Sequence, residues 1–83
     1  SLLAGVAKEM GKTGAEKFRS MAKEPRLSPQ QREELLDKAD RADDTRIRGE
    51  AERVPEKHRE EYIERETRRA REESRMLRRR LKS

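Results

Sequence analysis

Bulky apolar side chains are scarce in this chain, and that scarcity limits what it can fold into. Leu2, Leu3, Val6, Phe18, Leu27, Leu35, Leu36, Ile47, Val54, Ile63, Leu77 and Leu81 are the only large aliphatic or phenylalanine residues among 83. They make up about 14%, under the ~20% below which chains tend to lack a core of their own. Charged residues make up 49%. A compact, self-sufficient core is not expected. The chain should oligomerise, fold onto something else or stay partly loose, as one small domain or as a piece of a larger protein.

The apolar residues that are present recur at three- and four-residue steps, the period of an amphipathic helix. In residues 1–24, Leu3, Val6, Ala7, Met10, Phe18 and Met21 share a stripe. Gly5, Gly11 and Gly14 weaken it by roughly 1 kcal/mol each relative to Ala. The spacing predicts a helix over 2–23, broken near Gly11–Gly14 and stopped by Pro25. Residues 25–54 hold a second helix and a linker. Ser28 is suited to the N-cap, Pro29 to the first helical position, and Gln31 completes an S-x-x-Q capping box. Glu33 and Glu34 suit the positive end of the helix dipole. Gly49, following Arg46 and Arg48, reads as the stop, so the helix is expected over 29–48 with Leu35, Leu36, Ala39, Ala42 and Ile47 facing inward.

Residues 55–83 read as one long charged helix. Ile63, Thr67, Ala70, Ser74, Leu77 and Leu81 fall at steps of four and three, the seam of a coiled coil with mostly small knobs. Glu61–Arg65 and Glu64–Arg68 are i,i+4 pairs in the favourable order. The fold expectation is all-α: two shorter amphipathic helices plus one long charged C-terminal helix, in a helical hairpin or open three-helix arrangement. Met10, Phe18, Leu35, Leu36, Ile63, Leu77 and Leu81 are the expected packing or partner-interface anchors.

Sequence motifs for catalysis fail on inspection. Gly11-Lys12-Thr13 resembles the end of a phosphate loop, but the motif needs a Gly at position 6, which is Val6, and a strand before it. His58 lacks a second ligand at E-x-x-H spacing because residue 55 is Pro. The run from Asp37 to Asp44 lacks the central Gly and terminal Glu of a calcium loop and reads as a solvated helix face. Paired-carboxylate catalysis needs an apolar pocket that this composition does not supply. With no cysteine there is no thiolate nucleophile, disulfide or Cys-ligated zinc, a pattern that fits a reducing, cytoplasmic compartment. No apolar run exceeds three residues, so neither a signal peptide nor a membrane span is expected. The expectation is a non-enzyme without cofactor or metal.

Charge supplies the strongest functional signal. The net charge is +5, and residues 68–83 alone carry eight basic groups against Glu72 and Glu73. Arg68, Arg69, Arg71, Arg75, Arg78, Arg79, Arg80 and Lys82 are the candidate contacts to phosphates or to an acidic partner. No aromatic residue interleaves them to stack a base, and only Met76, Leu77 and Leu81 are there to enter a membrane surface. Two functions are expected from this pattern. The first is a helical interaction module that docks on a protein or on a second copy; the second is an accessory element that lays its C-terminal helix on DNA or RNA.

Overall fold

The computed structural model describes residues 13–82. Among them are three helices and no strand: α1, Gly14–Met21; α2, Pro29–Ala51; and α3, Glu56–Lys82. The expected all-α class is the observed one. Of the N-terminal helix expected over 2–23, only the part from Thr13 onward falls within the described residues; Met10 lies outside them.

Local chemistry sets the helix ends. Thr13 is the N-cap of α1, its Oγ1 accepting the Glu16 amide at 3.2 Å, so this helix starts inside the GKTG stretch. The Ser28 capping box forms in both directions: Gln31 N–H donates to Ser28 Oγ at 3.1 Å, and Ser28 N–H donates to Gln31 Oε1 at 2.9 Å. Both connectors are clamped by an arginine from the first turns of the next helix. Arg32 donates to the Ala22 carbonyl at 3.0 Å and the Glu24 carbonyl at 3.3 Å. Arg59 donates to the carbonyls of Ala51 at 2.9 Å and Val54 at 3.0 Å. Each satisfies carbonyls that a terminating helix leaves without an intrahelical donor.

The second helix runs three residues past its expected end, and Gly49 is not its stop. Gly49 has no left-handed backbone, so it makes no C-cap turn. Ile47 and Ala51 are both fully buried, and keeping the helix intact through residue 51 leaves both on its inner stripe. A Cβ at Gly49 would meet nothing within 4 Å, so the position is an open helical surface.

The helices run up, down and up. Glu50 meets Tyr62, Asp44 meets Arg71, Asp40 meets Ser74 and Glu33 meets Arg78, so α2 and α3 are antiparallel. Gly14 lies against Ala42 and Ala22 against Arg32, so α1 is antiparallel to α2 and parallel to α3. The apolar centre is small: Ala22, Leu36 and Leu77 are buried together, with Leu35 and Leu81 packed against them. Elsewhere the inward stripes are mostly alanine: Ala15 on α1, Ala39 and Ala51 on α2, Ala70 on α3. Small residues bring helices close but bury little area each.

Candidate interaction site

Where apolar side chains run out, polar ones fill the centre. One polar residue from each helix lies on its buried stripe: Arg19 on α1, Asp43 on α2 and Ser74 on α3. They meet. Arg19 Nη1 donates to Asp43 Oδ2 at 2.8 Å and lies 3.5 Å from Ser74 Oγ. Ser74 Oγ donates to Asp40 Oδ1 at 2.7 Å. Arg19 Nη2 pairs with Glu73 at 3.0 Å, and Arg46 reaches the other Asp43 oxygen at 3.2 Å. Asp43 is therefore no part of a solvated face, contrary to expectation: it is 1% exposed because Leu36, Ala39, Asp43 and Ile47 share one side of α2. The arrangement satisfies buried charge with charge rather than excluding it.

The C-terminal arginines divide into two sets. Arg71 and Arg78 lie on the edge of α3 that faces α2. Arg71 Nη2 binds both carboxylate oxygens of Asp44, at 2.9 and 2.7 Å, and its Nη1 reaches the Asp40 carbonyl at 3.3 Å. Arg78 Nε lies 3.0 and 3.1 Å from the two oxygens of Glu33, and its Nη2 pairs with Glu33 at 2.8 Å and Asp37 at 3.5 Å. Both guanidinium pKa values are pushed up, mainly by these carboxylate hydrogen bonds. Arg68, Arg75, Arg79 and Lys82 are exposed at steps of seven, four and three along the solvent side, Arg68 and Lys82 at its margin toward α2. Arg75 pairs with Glu72 one turn away, and Arg69 lies 3.5 Å from Glu66. Arg80 is exposed at the edge beside α1.

At the hairpin end, Tyr62 donates its hydroxyl to Glu50 at 2.8 Å, and Arg46 donates to the other Glu50 oxygen at 3.0 Å. These bonds hold the Glu50 carboxyl below its ordinary pKa and push the Tyr62 phenol up. Arg65 stacks over the Tyr62 ring, 5.8 Å from its centroid.

Of the expected anchors, Leu36 and Leu77 are buried, while Phe18, Leu35, Ile63 and Leu81 are half-buried. Two other large apolar residues stay in solvent, Met21 at 55% and Met76 at 53% exposed. Met76 lies in a groove of about 420 Å3 between α1 and α3, with Leu77 in its wall and Glu16, Lys23, Glu73 and Arg80 among its charged lining. His58 is exposed, and among the described residues no group of three His, Cys, Asp or Glu side chains is placed to hold a metal ion. None of the described helices is long and apolar enough to cross a membrane.

The meeting of the triad escaped the sequence reading: Ser74 lies on the expected seam and Asp43 four residues after Ala39, whereas Arg19 lies beside the expected Phe18–Met21 stripe, the buried side of α1 being Ala15, Arg19 and Ala22. The cap at Thr13 carried a signal too: Thr13-Gly-Ala-Glu16 has the spacing of a capping box. Comparison with family models, curated proteins and solved structures finds no match to this chain.

Proposed function

We propose that this chain is a non-catalytic helical interaction module that docks on a protein surface through its α1/α3 face. The observation that supports the reading is Met76, which leaves half its surface in water beside an open groove walled by Leu77, in a chain that has few apolar side chains to spare. Exposed apolar surface rimmed by charge is what a docking site presents. The polar junction of Arg19, Asp43 and Ser74 supports it further by tying the three helices into one register, which gives the groove a set shape. The test is a photo-reactive residue at position 76, activated in the cells that make the chain. A discrete protein adduct, of this chain or of another, is expected there and not from the same probe at exposed Thr45 on α2. No adduct above the level at position 45 rejects the reading.

A second reading rests on its own observation: Arg68, Arg75, Arg79 and Lys82 form one exposed basic strip along the solvent side of α3, with Arg68 and Lys82 at its margin toward α2. As a nucleic-acid-binding accessory element, the module would set this strip along phosphates. Four phosphate contacts predict log affinity for duplex DNA falling with log salt at a slope of about −3 to −4. Changing Arg68, Arg75 and Arg79 together to Gln should flatten that slope. Absent or salt-independent binding at low ionic strength rejects it.

A further inference from the structure

The α1/α3 groove carries a charge pattern that points to its occupant. Glu16 on α1 and Lys23, in the turn just past its end, are seven residues apart, and so are Glu73 and Arg80 within α3; all four line the groove. Within α3 seven residues are two helical turns, about 10 Å. The two helices are parallel, so the acidic member of each pair lies toward one end of the groove and the basic member toward the other. Met76 sits between Glu73 and Arg80, and Leu77 beside it. The α3 wall is therefore acid, apolar, base along its length, and the facing wall runs from Glu16 through Arg19, which pairs with Glu73 at 3.0 Å, and Ser20 to Lys23, so both walls are acidic at one end and basic at the other.

Such a surface complements itself when turned end over end. A two-fold axis crossing α3 near Met76 sets the acidic end of one copy against the basic end of the other, twice. It also brings the two Met76 side chains together at the centre. Closed dimers are built on self-complementary patches of this kind. We propose that the groove is the interface of a homodimer in which Met76 of each copy enters the other's groove beside Leu77. Glu16 and Glu73 then face Lys23 and Arg80 of the second copy. This rests on the docking-module reading and names the partner it leaves open. Methionine suits the centre of the joint because its unbranched thioether adapts to an irregular gap. Charge complementarity selects the antiparallel arrangement, since a parallel one would oppose like charges at both ends.

One groove on a chain this size makes a small interface, so the expected association is weak, about 10 μM to 1 mM. Sedimentation equilibrium of the full chain over that range should show a reversible monomer–dimer equilibrium. Met76→Glu, at a solvent-exposed position, should keep the far-ultraviolet dichroism of the wild type and weaken association at least ~10-fold, because it puts a carboxylate into the joint. Glu16→Lys and Lys23→Glu should each weaken self-association. An equimolar mixture of the two should recover wild-type affinity to within about 2-fold, because opposite charges then face each other again. A chain that stays monomeric up to ~1 mM overturns the homodimer while leaving a foreign partner for the groove. A dimer indifferent to Met76→Glu, or one whose charge variants do not rescue each other, also overturns it by placing the contact elsewhere. An adduct search at position 76 that finds neither this chain nor another removes the docking reading as well.

Discussion

Replacing Asp43 by Leu strands a charge in the centre of the bundle. The Asp43 side chain is 2% exposed and that of Arg19 is 11% exposed, with 2.8 Å between their charged atoms. Without the carboxylate, Arg19 keeps Ser74 at 3.5 Å and Glu73 at 3.0 Å. Breaking a buried ion pair from one side costs about 3–5 kcal/mol, the uncompensated charge accounting for most of it. Glu73 is 61% exposed and softens the loss, so Asp43→Leu should fall at the low end, about 3 kcal/mol. A folded chain of 83 residues holds roughly 4–12 kcal/mol in all, so this one change removes from a quarter to most of it. At about 4–8 °C per kcal/mol, the melting temperature should drop by roughly 12–24 °C. Arg19→Met with Asp43→Leu removes both charges and fills the space with apolar groups. Arg46 then keeps Glu50 at 3.0 Å, and the double variant should lie within about 1 kcal/mol of wild type. The assay is urea denaturation of wild type, both single variants and the double variant, followed by far-ultraviolet circular dichroism at neutral pH. The reasoning fails if Asp43→Leu costs under ~1 kcal/mol, or if the cycle gives a coupling energy below ~0.5 kcal/mol.

Gly49→Ala should stabilise the chain by about 0.5–1 kcal/mol in the same denaturation assay; the residue is helical, and nothing lies within 4 Å of the added Cβ. Ser28→Ala removes one arm of the capping box and should cost about 1 kcal/mol, with Ser28→Gly costing less. Glu50 sits below its ordinary pKa and Tyr62 above its own. The Glu50 contribution is thus present at neutral pH and lost as pH falls through the acid range, whereas that of Tyr62 is present below the ordinary phenol pKa and lost as pH rises past its raised value. Tyr62 is the only tyrosine and there is no tryptophan, so phenolate absorbance reports it directly: its midpoint should lie above that of free tyrosine and drop back in Glu50→Gln.

The helices were legible where punctuation and period agreed. Ser28, Pro29 and Gln31 mark a start that the backbone obeys to the residue, and Pro55 marks the break before α3. The heptad seam is likewise the inward side of α3: Ala70, Ser74 and Leu77 are buried, and Ile63, Thr67 and Leu81 half-buried. Gly49 misled because a glycine signals a helix end only through a left-handed residue, and burial of Ile47 and Ala51 held the helix together across it. Arg19 and Asp43 were missed for a different reason. For Asp43 residue type says charged and exposed while spacing says inward; for Arg19 the expected stripe through Phe18 and Met21 is displaced by one residue from the buried one through Ala15, Arg19 and Ala22. Each is an anomaly on its own stripe. Only together, at the same level of two facing helices, do they become an ion pair, and that level depends on the connectors.

The same logic changes what the arginine cluster offers to a partner. On a bare helix, Arg68, Arg71, Arg75, Arg78, Arg79 and Lys82 would form one broad basic side. In the hairpin the acidic side of α2, with Glu33, Asp37, Asp40 and Asp44, takes Arg71 and Arg78 for itself. These pairs are partly exposed, so each contributes modestly, about 0–1 kcal/mol, and weakens with salt. They still compete: a polyanion that recruited Arg71 or Arg78 would have to displace a carboxylate already in place, and would then face those carboxylates across the gap. The external cationic surface of α3 is therefore narrower than the composition implies: the solvent strip at Arg68, Arg75, Arg79 and Lys82, with Arg69 and Arg80 exposed on the side toward α1. The paired arginines serve the fold, holding α3 against α2 where the seam offers only small side chains. That leaves Met76 and its groove, rather than the arginine cluster as a whole, as a feature of the described residues that packing does not use up.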